Sequence, residues 1–315
     1  MAEKKIMQFA NFNITFGEVP NPKPMLSYFK EIIYPTFKSE YIRGEKGKAQ
    51  FYFSDIKLKK LQGEYVLVGT LIKDTKYEVK TKIEGEKLVE AHSFVPTAPY
   101  SRFIIFLKNH RMVLLKNESA SPDIRSFQKT FRTFVVKVLY NYNKGKKKVD
   151  RIPSPDVNIV DIPLPGSSID DEISKFKKFN KLTLRLFPLN NDFDTSSMIR
   201  ALRCTMNEVA SKTAGIEMNS PSNPVGVKDV LENSNGTAIV TVTGIDHVGS
   251  EIKLKTNAFS SKAGIIHEGN ITENDDVFIR NYAYSSANDI MNNVSLENQR
   301  LYDGFVENYS EDDYR

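Results

Sequence analysis

A series of short strand-like runs between residues 51 and 115 constrains the fold most strongly. The runs are 51–58, 64–72, 77–83, 102–107 and 111–115. They are rich in β-branched and aromatic residues, and Gly63 and the polar stretches 73–76 and 108–110 separate them. Connections this short join antiparallel neighbours, because parallel strands need a crossover of a dozen or more residues. The sequence therefore predicts an antiparallel, sheet-rich N-terminal lobe.

A strand and two helices are predicted around these runs. Residues 8–16 alternate apolar and polar side chains, which is typical of a strand, and 25–33 carry apolar side chains at helical spacing. Residues 121–123, Ser-Pro-Asp, supply a capping hydroxyl, a proline and an acid, which predicts a second helix start. In that helix the apolar residues Ile124, Phe127 and Phe131 share one face, and the basic residues Arg125, Lys129 and Arg132 share another.

The second half of the chain alternates strand and helix patterns. Strands are predicted at 181–189, 216–218, 238–244 and 251–256, and helices at 198–209 and 225–231. The single cysteine, Cys204, is expected to be buried on the first of these helices. From residue 270 onward the composition shifts to Asn, Asp, Glu, Ser and Tyr. This segment is compatible with one helix at 289–301, and its last stretch, which ends at 311–313, is typical of a mobile segment.

These patterns predict the α+β class, with a smaller β/α lobe after the sheet-rich one. The predicted units are a basic sheet-rich domain (1–149), a proline-rich linker (150–172), a β/α domain (173–267) and an acidic, partly disordered tail (268–315). No apolar run is long enough to cross a bilayer, and the first five residues are not followed by the apolar core of a signal peptide. With only one cysteine, these features predict a cytoplasmic protein without membrane insertion.

Charge is distributed unevenly along the chain. Residues 1–150 carry 28 Lys and Arg against 15 Asp and Glu, residues 151–267 carry 13 of each, and residues 268–315 carry 3 against 11. A basic front of this kind is typical of proteins that attract polyanions, although evenly spread surface charge gives the same totals.

Three basic groups are the candidate nucleic-acid contacts. They are the helix residues Arg125, Lys129 and Arg132, the loop residues Lys144, Lys146, Lys147 and Lys148, and the cluster Lys175, Lys177, Lys178 and Lys181. Four aromatic residues, Tyr140, Tyr142, Phe176 and Phe179, interleave with them and are candidates for stacking on unpaired bases. Together they favour non-catalytic binding of DNA or RNA, whereas a lysine run taken alone is more often a solvated loop.

A metal-dependent nuclease is the catalytic alternative. Nucleotide-binding glycine loops, HExxH and CxxC motifs are absent, and the four histidines lack ligand spacing, so the sequence predicts no resident cofactor. An E-x-K pattern occurs at Glu251 and Lys253, with Asp246 across the turn, and again at Glu78 and Lys80, with Asp55 upstream. In such a nuclease the carboxylates would hold Mg²⁺ and the lysine would neutralise the phosphate.

A protein-interaction or oligomeric sensor module is the third class. The acidic tail either contacts a protein partner or folds back on the basic front, and a homo-oligomer is compatible with either arrangement.

Two runs, APYSRFIIFLKNHRM at 98–112 and SPDIRSF at 121–127, resemble a bacterial protein family associated with mobile elements and phage defence. The resemblance covers less than a tenth of the chain, and it implies a bacterial, antiviral role without implying any catalytic residue.

Overall fold

The computed structural model of the chain describes residues 2–163, 167–192, 194, 196–259 and 263–314, and its fold is α+β, as predicted. The strands are β1 (Ala2–Phe16), β2 (Lys23–Pro24), β3 (Gln50–Leu61), β4 (Glu64–Glu84), β5 (Lys87–Thr97), β6 (Tyr100–Phe106), β7 (Arg111–Lys116), β8 (Pro155–Asp161), β9 (Phe176–Leu186), β10 (Ala214–Asn219), β11 (Ala238–Asp246), β12 (Glu251–Lys255) and β13 (Ala263–Glu268). The helices are α1 (Tyr34–Lys38), α2 (Ile124–Asn143), α3 (Ser167–Ser174), α4 (Ser197–Glu208), α5 (Pro224–Glu232), α6 (Asp276–Ser286), α7 (Asn288–Asn292) and α8 (Leu296–Glu307). None of the helices in these residues is both long and apolar enough to span a bilayer.

The main sheet is antiparallel and is built around β1. One edge of β1 pairs with β7, and β6, β4 and β3 follow in that order. The other edge pairs with β13 over its first residues and with β8 over its last. The predicted turn at 73–76 is absent, because these polar residues continue β4 in an extended conformation and pair with β3 and β5.

Helices cover both faces of the main sheet. Alternate side chains of β1, among them Phe12 and Phe16, face a core that includes α1, α2 and Tyr302 of α8. Met7 and Phe9 face the opposite core, which α6 and α7 close. The N-cap of α2 is Asp123, whose carboxylate accepts the backbone N–H of Ser126, so the helix begins after the predicted Ser-Pro-Asp signal.

The smaller lobe is a four-stranded antiparallel sheet in the order β10-β9-β11-β12. Its apolar face packs against residues of α3, α4 and α5. Cys204 lies on α4 as predicted, but it is exposed rather than buried.

The predicted unit boundaries do not coincide with the sheets. The predicted linker contains β8, a strand of the main sheet, and residues 164–166 of that linker lie outside the described residues. The last strand of the main sheet, β13, comes after the smaller lobe in the sequence. In place of a partly disordered tail, residues 276–307 contain three helices, because their scattered apolar side chains, such as Ile279 and Tyr302, reach the two cores.

A buried ion pair fastens this C-terminal segment to the sheet. The Asp276 carboxylate accepts hydrogen bonds from Arg102 Nε at 2.8 Å and Nη2 at 2.9 Å, and from Lys59 Nζ at 2.7 Å. Arg102 and Asp276 are 2 % and 1 % exposed. Removing one partner of such a pair leaves the other charge buried without compensation.

We expect Asp276→Asn to lower the free energy of unfolding by about 3–5 kcal/mol, because Arg102 then lacks its counter-ion. Urea unfolding followed by circular dichroism measures the loss. Glu307→Gln makes the same charge change at an exposed position of α8 and should alter stability by less than about 0.5 kcal/mol. Equal stability of the two variants would contradict the anchoring role.

Candidate nucleic-acid interface

Positive charge concentrates in residues 124–152, which comprise α2 and the loop that follows it, and which we term the basic segment. This segment holds nine Lys and Arg residues and one acid, Asp150. Among the described residues none of the nine forms an ion pair, whereas at least nine cations elsewhere in the first 150 residues do so. The cations of the basic segment are therefore available to a polyanion.

The exposed side of α2 carries the predicted basic stripe. Arg125, Lys129 and Arg132 are exposed, because Ile124, Phe127 and Phe131 take the buried face. The Arg132 guanidinium also donates to the Val157 carbonyl, which fixes it beside β8. The stripe therefore presents its charges along one side of the helix.

A groove at the C-terminal end of α2 combines cations with an exposed aromatic ring. It has a volume of about 490 Å³, and its lining includes Val136, Tyr140, Lys144 and Arg151. Tyr140 is 69 % exposed. Aromatic faces next to Lys and Arg bind unpaired bases by stacking while the cations meet the phosphates.

The loop at this groove is held by its own hydrogen bonds. Asn143 Nδ2 donates to the Ile152 carbonyl at 2.8 Å, and Ile152 N donates to Asn143 Oδ1 at 3.0 Å. Arg151 Nε donates to the Lys146 carbonyl at 2.9 Å. Because these bonds use the backbone and an amide rather than carboxylates, they order the loop without neutralising its charge.

Of the four predicted stacking residues, Tyr140 is exposed, Tyr142 is in contact with a lysine, and the two phenylalanines are buried. Lys146 Nζ lies 3.2 Å from the centre of the Tyr142 ring, which is a cation–π contact. Phe176 and Phe179 are 7 % and 6 % exposed and belong to the core of the smaller lobe, so they are not available for stacking. Irregular pairing between β9 and β11 turns both phenylalanines inward.

The third predicted basic group lies apart from the basic segment. Lys175, Lys177 and Lys178 lie at the start of β9, whose other end packs beside Val160 of the main sheet. Eleven strand residues span about 35 Å. In the parts of the chain that the structure describes, no hydrogen bond or ion pair joins this group to the basic segment. Lys175 pairs with Glu172 at 2.5 Å and Lys181 with Glu217 at 2.7 Å.

In the smaller lobe, Asp246 does not join the E-x-K residues Glu251 and Lys253 on one face. Glu251 lies opposite Ile245 and Lys253 opposite Thr243, so both side chains share the outer face of the hairpin. Asp246 follows Ile245 and points to the other face, and its carboxylate accepts the N–H groups of Val248 at 2.9 Å and Ser250 at 2.8 Å. The structure therefore gives Asp246 the role of a turn cap.

In the other E-x-K pattern, the upstream carboxylate of Asp55 lies far from the Glu78 and Lys80 pair. Glu78 and Lys80 are exposed and lie 4.0 Å apart. Asp55 lies in a bulge of β3 near Thr70 of β4, and Glu78 is eight strand residues beyond, which is about 26 Å. The described residues contain no cluster of three or more His, Cys, Asp or Glu side chains that could hold a metal ion.

Sequence reasoning missed a buried polar network where the two lobes meet. Asn13 Nδ2 donates to the Pro188 carbonyl at 2.8 Å, and its Oδ1 accepts the Asn190 N–H at 2.8 Å. Arg111 Nη1 pairs with Asp192 Oδ2 at 2.6 Å. The alternation of residues 8–16 contained a signal, because it placed asparagines at the two alternate positions 11 and 13, but it did not reveal that another lobe covers them.

His110 lies in this network and is fully buried, with a positive φ of 56°. Burial lowers the pKa of its imidazole to about 3, the charge of Arg111 adds to the shift, and the nearby Asn190 backbone opposes it. Neither ring nitrogen makes a well-formed hydrogen bond with a described residue. The folded protein therefore holds this ring neutral.

Comparisons of the chain with protein-family models, with curated proteins and with solved structures gave no match. The runs 98–112 and 121–127 that carry the family resemblance form β6, the hairpin turn, the start of β7 and the start of α2. They are parts of the scaffold that positions α2 and the main sheet.

The lowered pKa of the buried His110 predicts how the free energy of unfolding depends on pH. An unfolded histidine binds a proton below about pH 6.5, and the folded one does so only near pH 3, so stability should fall as the pH is lowered between these values. The expected slope is at most about 1.4 kcal/mol per pH unit. His110→Asn tolerates the left-handed backbone and removes this titration. Denaturant unfolding of both proteins between pH 7 and about pH 4 checks the difference, and parallel pH profiles would refute it.

Proposed function

We propose that this protein binds single-stranded nucleic acid without cleaving it, through the basic segment. The observation that carries the proposal is the set of nine cations that lack ion pairs among the described residues, next to the exposed Tyr140. Lysine and arginine contacts to phosphates supply affinity without sequence preference, and an exposed ring adds stacking on any base.

The arrangement of charge supports this assignment over a small-molecule site. The stripe on α2 spans Arg125 to Arg132, and the groove continues it past Tyr140 to Lys144 and Arg151. A helix of 20 residues is about 30 Å long, which is the length of several nucleotides rather than of one metabolite. Titrations with a DNA and an RNA oligonucleotide of the same sequence determine which of the two binds more tightly.

We also propose a bacterial, cytoplasmic setting with a role in phage defence. The family resemblance of runs 98–112 and 121–127 supports the defence role, and the single cysteine suits a reducing compartment. A plaque assay on a host that expresses the protein tests this setting separately from nucleic-acid binding.

We expect replacement of Lys144, Lys147 and Lys148 by Ala to weaken binding of a single-stranded oligonucleotide. Each lost phosphate contact makes the slope of log affinity against log salt concentration shallower by about 0.7, so three lost contacts change it by about 2. Fluorescence anisotropy titrations at several salt concentrations measure this slope.

A matched triple variant serves as the control. Replacement of Lys175, Lys177 and Lys178 by Ala removes the same charge at the remote end of the smaller lobe. We expect this variant to keep the wild-type slope. If both triple variants lose affinity equally, the basic segment is not the specific binding surface, and if neither does, the proposal fails.

We expect Tyr140→Ala to weaken binding by about 1–3 kcal/mol, because one stacked base is lost, and to leave the salt slope unchanged. Tyr140→Phe keeps the ring and should retain affinity. The same titrations measure both variants. An unaffected Tyr140→Ala variant would mean that the groove does not stack a base.

A further inference from the structure

A two-stranded arm extends from the main sheet. It consists of residues 75–97, which form the second half of β4 and the whole of β5. The pairing of β4 with β3 stops at Asp74, and its pairing with β6 stops at Ile72. Beyond these points, β4 and β5 pair only with each other, over about 33 Å for ten residues. Isolated two-stranded ribbons are marginally stable in water, so packing against a partner would stabilise this arm.

The arm has one apolar face and one charged face. The apolar face carries Tyr77, Val79, Thr81 and Ile83 of β4 and their neighbours Val95 and Leu88 of β5. Glu90 is the one charged side chain paired across this face. The alternate β4 residues, which point to the opposite face, are Lys76, Glu78, Lys80, Lys82 and Glu84, and the β5 residues paired with them include Pro96, Phe94, Val89 and Lys87. This alternation is typical of a sheet with one covered side and one solvated side.

The apolar face has no cover among the described residues. Tyr77, Ile83, Leu88 and Val95 are 67 %, 76 %, 73 % and 51 % exposed. They make up four of the seventeen large exposed hydrophobic residues described, and a fifth in this arm of 23 residues, Phe94, lies opposite Glu78 on the other face. Single exposed apolar side chains are ordinary, but a contiguous face of them marks an interaction surface.

We propose that this face packs against the same face of a second copy of the chain. Residues 75–97 carry four lysines and four glutamates, and ion pairs Lys80–Glu78 and Lys82–Glu84 neutralise part of this charge within the arm. The arm therefore has no net charge with which to attract a polyanion or a strongly charged protein. The matching surface has to be flat, apolar and nearly uncharged.

The second copy supplies such a surface. The other large exposed hydrophobic residues described are spread over the rest of the molecule, so this arm is the most concentrated apolar face it offers. A two-fold axis brings identical patches together, and two sheets stack face to face about 10 Å apart. Edge-to-edge pairing would leave the apolar faces in water, and face-to-face packing covers them.

The size of the contact sets the expected strength. Two strands about 33 Å long and about 10 Å wide present roughly 330 Å² per arm, or roughly 660 Å² for the pair. Stable interfaces bury about 1,200–2,000 Å² in total, so the dimer should form reversibly and depend on concentration. The dimer does not require that the basic segment bind nucleic acid.

Sedimentation equilibrium over a dilution series of the full chain, without nucleic acid, tests the proposal. We expect wild-type protein to shift from dimer to monomer on dilution. Replacing Ile83 and Leu88 together by Thr places β-branched side chains, which suit strands, at both positions but removes apolar surface from both arms, and should weaken dimerisation by at least about a hundredfold. Lys82→Thr alters the charged face beside them and should leave the dimer intact.

Thermal unfolding at a concentration where wild type is monomeric checks that the variants fold, because Ile83 and Leu88 are exposed in the monomer. Tyr77→Thr, at the base of the same face, is a second variant that should also weaken the dimer. The proposal is overturned if wild type stays monomeric throughout, or if the Ile83 and Leu88 variant dimerises as strongly as Lys82→Thr.

Discussion

The structure depends on β1, a strand of 15 residues whose two edges and two faces are all occupied. Its edges pair with β7, β8 and β13 of the main sheet, so it carries the backbone hydrogen bonds that join the first and last parts of the chain. Its apolar side chains enter both cores. The strands of the smaller lobe, β9 to β12, lie between β8 and β13 in the sequence, and both β8 and β13 pair with β1. The smaller lobe is therefore an insertion into the main-sheet domain rather than a domain that follows it.

The same strand explains where sequence reasoning succeeded and where it stopped. The alternation at residues 8–16 correctly predicted a strand, and turn residues correctly located the hairpin of β6 and β7. Alternation does not reveal what covers each face. Asn11 and Asn13 occupy positions that a strand on a protein surface gives to solvent, yet both are fully buried under the smaller lobe. Their amides meet backbone groups from residues more than 170 positions away, which no local pattern encodes.

Charge was predictable as a sum but not as an arrangement. The counts for residues 1–150 and 268–315 suggested attraction between the two ends, and the fold uses part of it, since Asp276 and Glu273 pair with Arg102, Lys59 and Lys57. These contacts lie on the side of the main sheet that α6 covers. The basic segment includes α2, which covers the other side. Asp276 and Glu273 thus neutralise cations on the α6 side. The acids of α8, which packs on the α2 side, form no ion pair with the basic segment among the described residues.

In the arm, too, the local alternation of apolar and polar residues does not reveal what buries the apolar side chains. Residues 77–83 have the alternation of a half-buried strand, and the polar residues 73–76 before them were interpreted as a turn. In the structure the chain stays extended through 73–76, and the alternation therefore continues beyond the reach of α1, α2 and α6. An alternating strand needs one covered face wherever it lies, because apolar side chains cost free energy in water. When no other part of the described chain covers that face, the alternation specifies a contact between molecules in the way that it specifies a core within one.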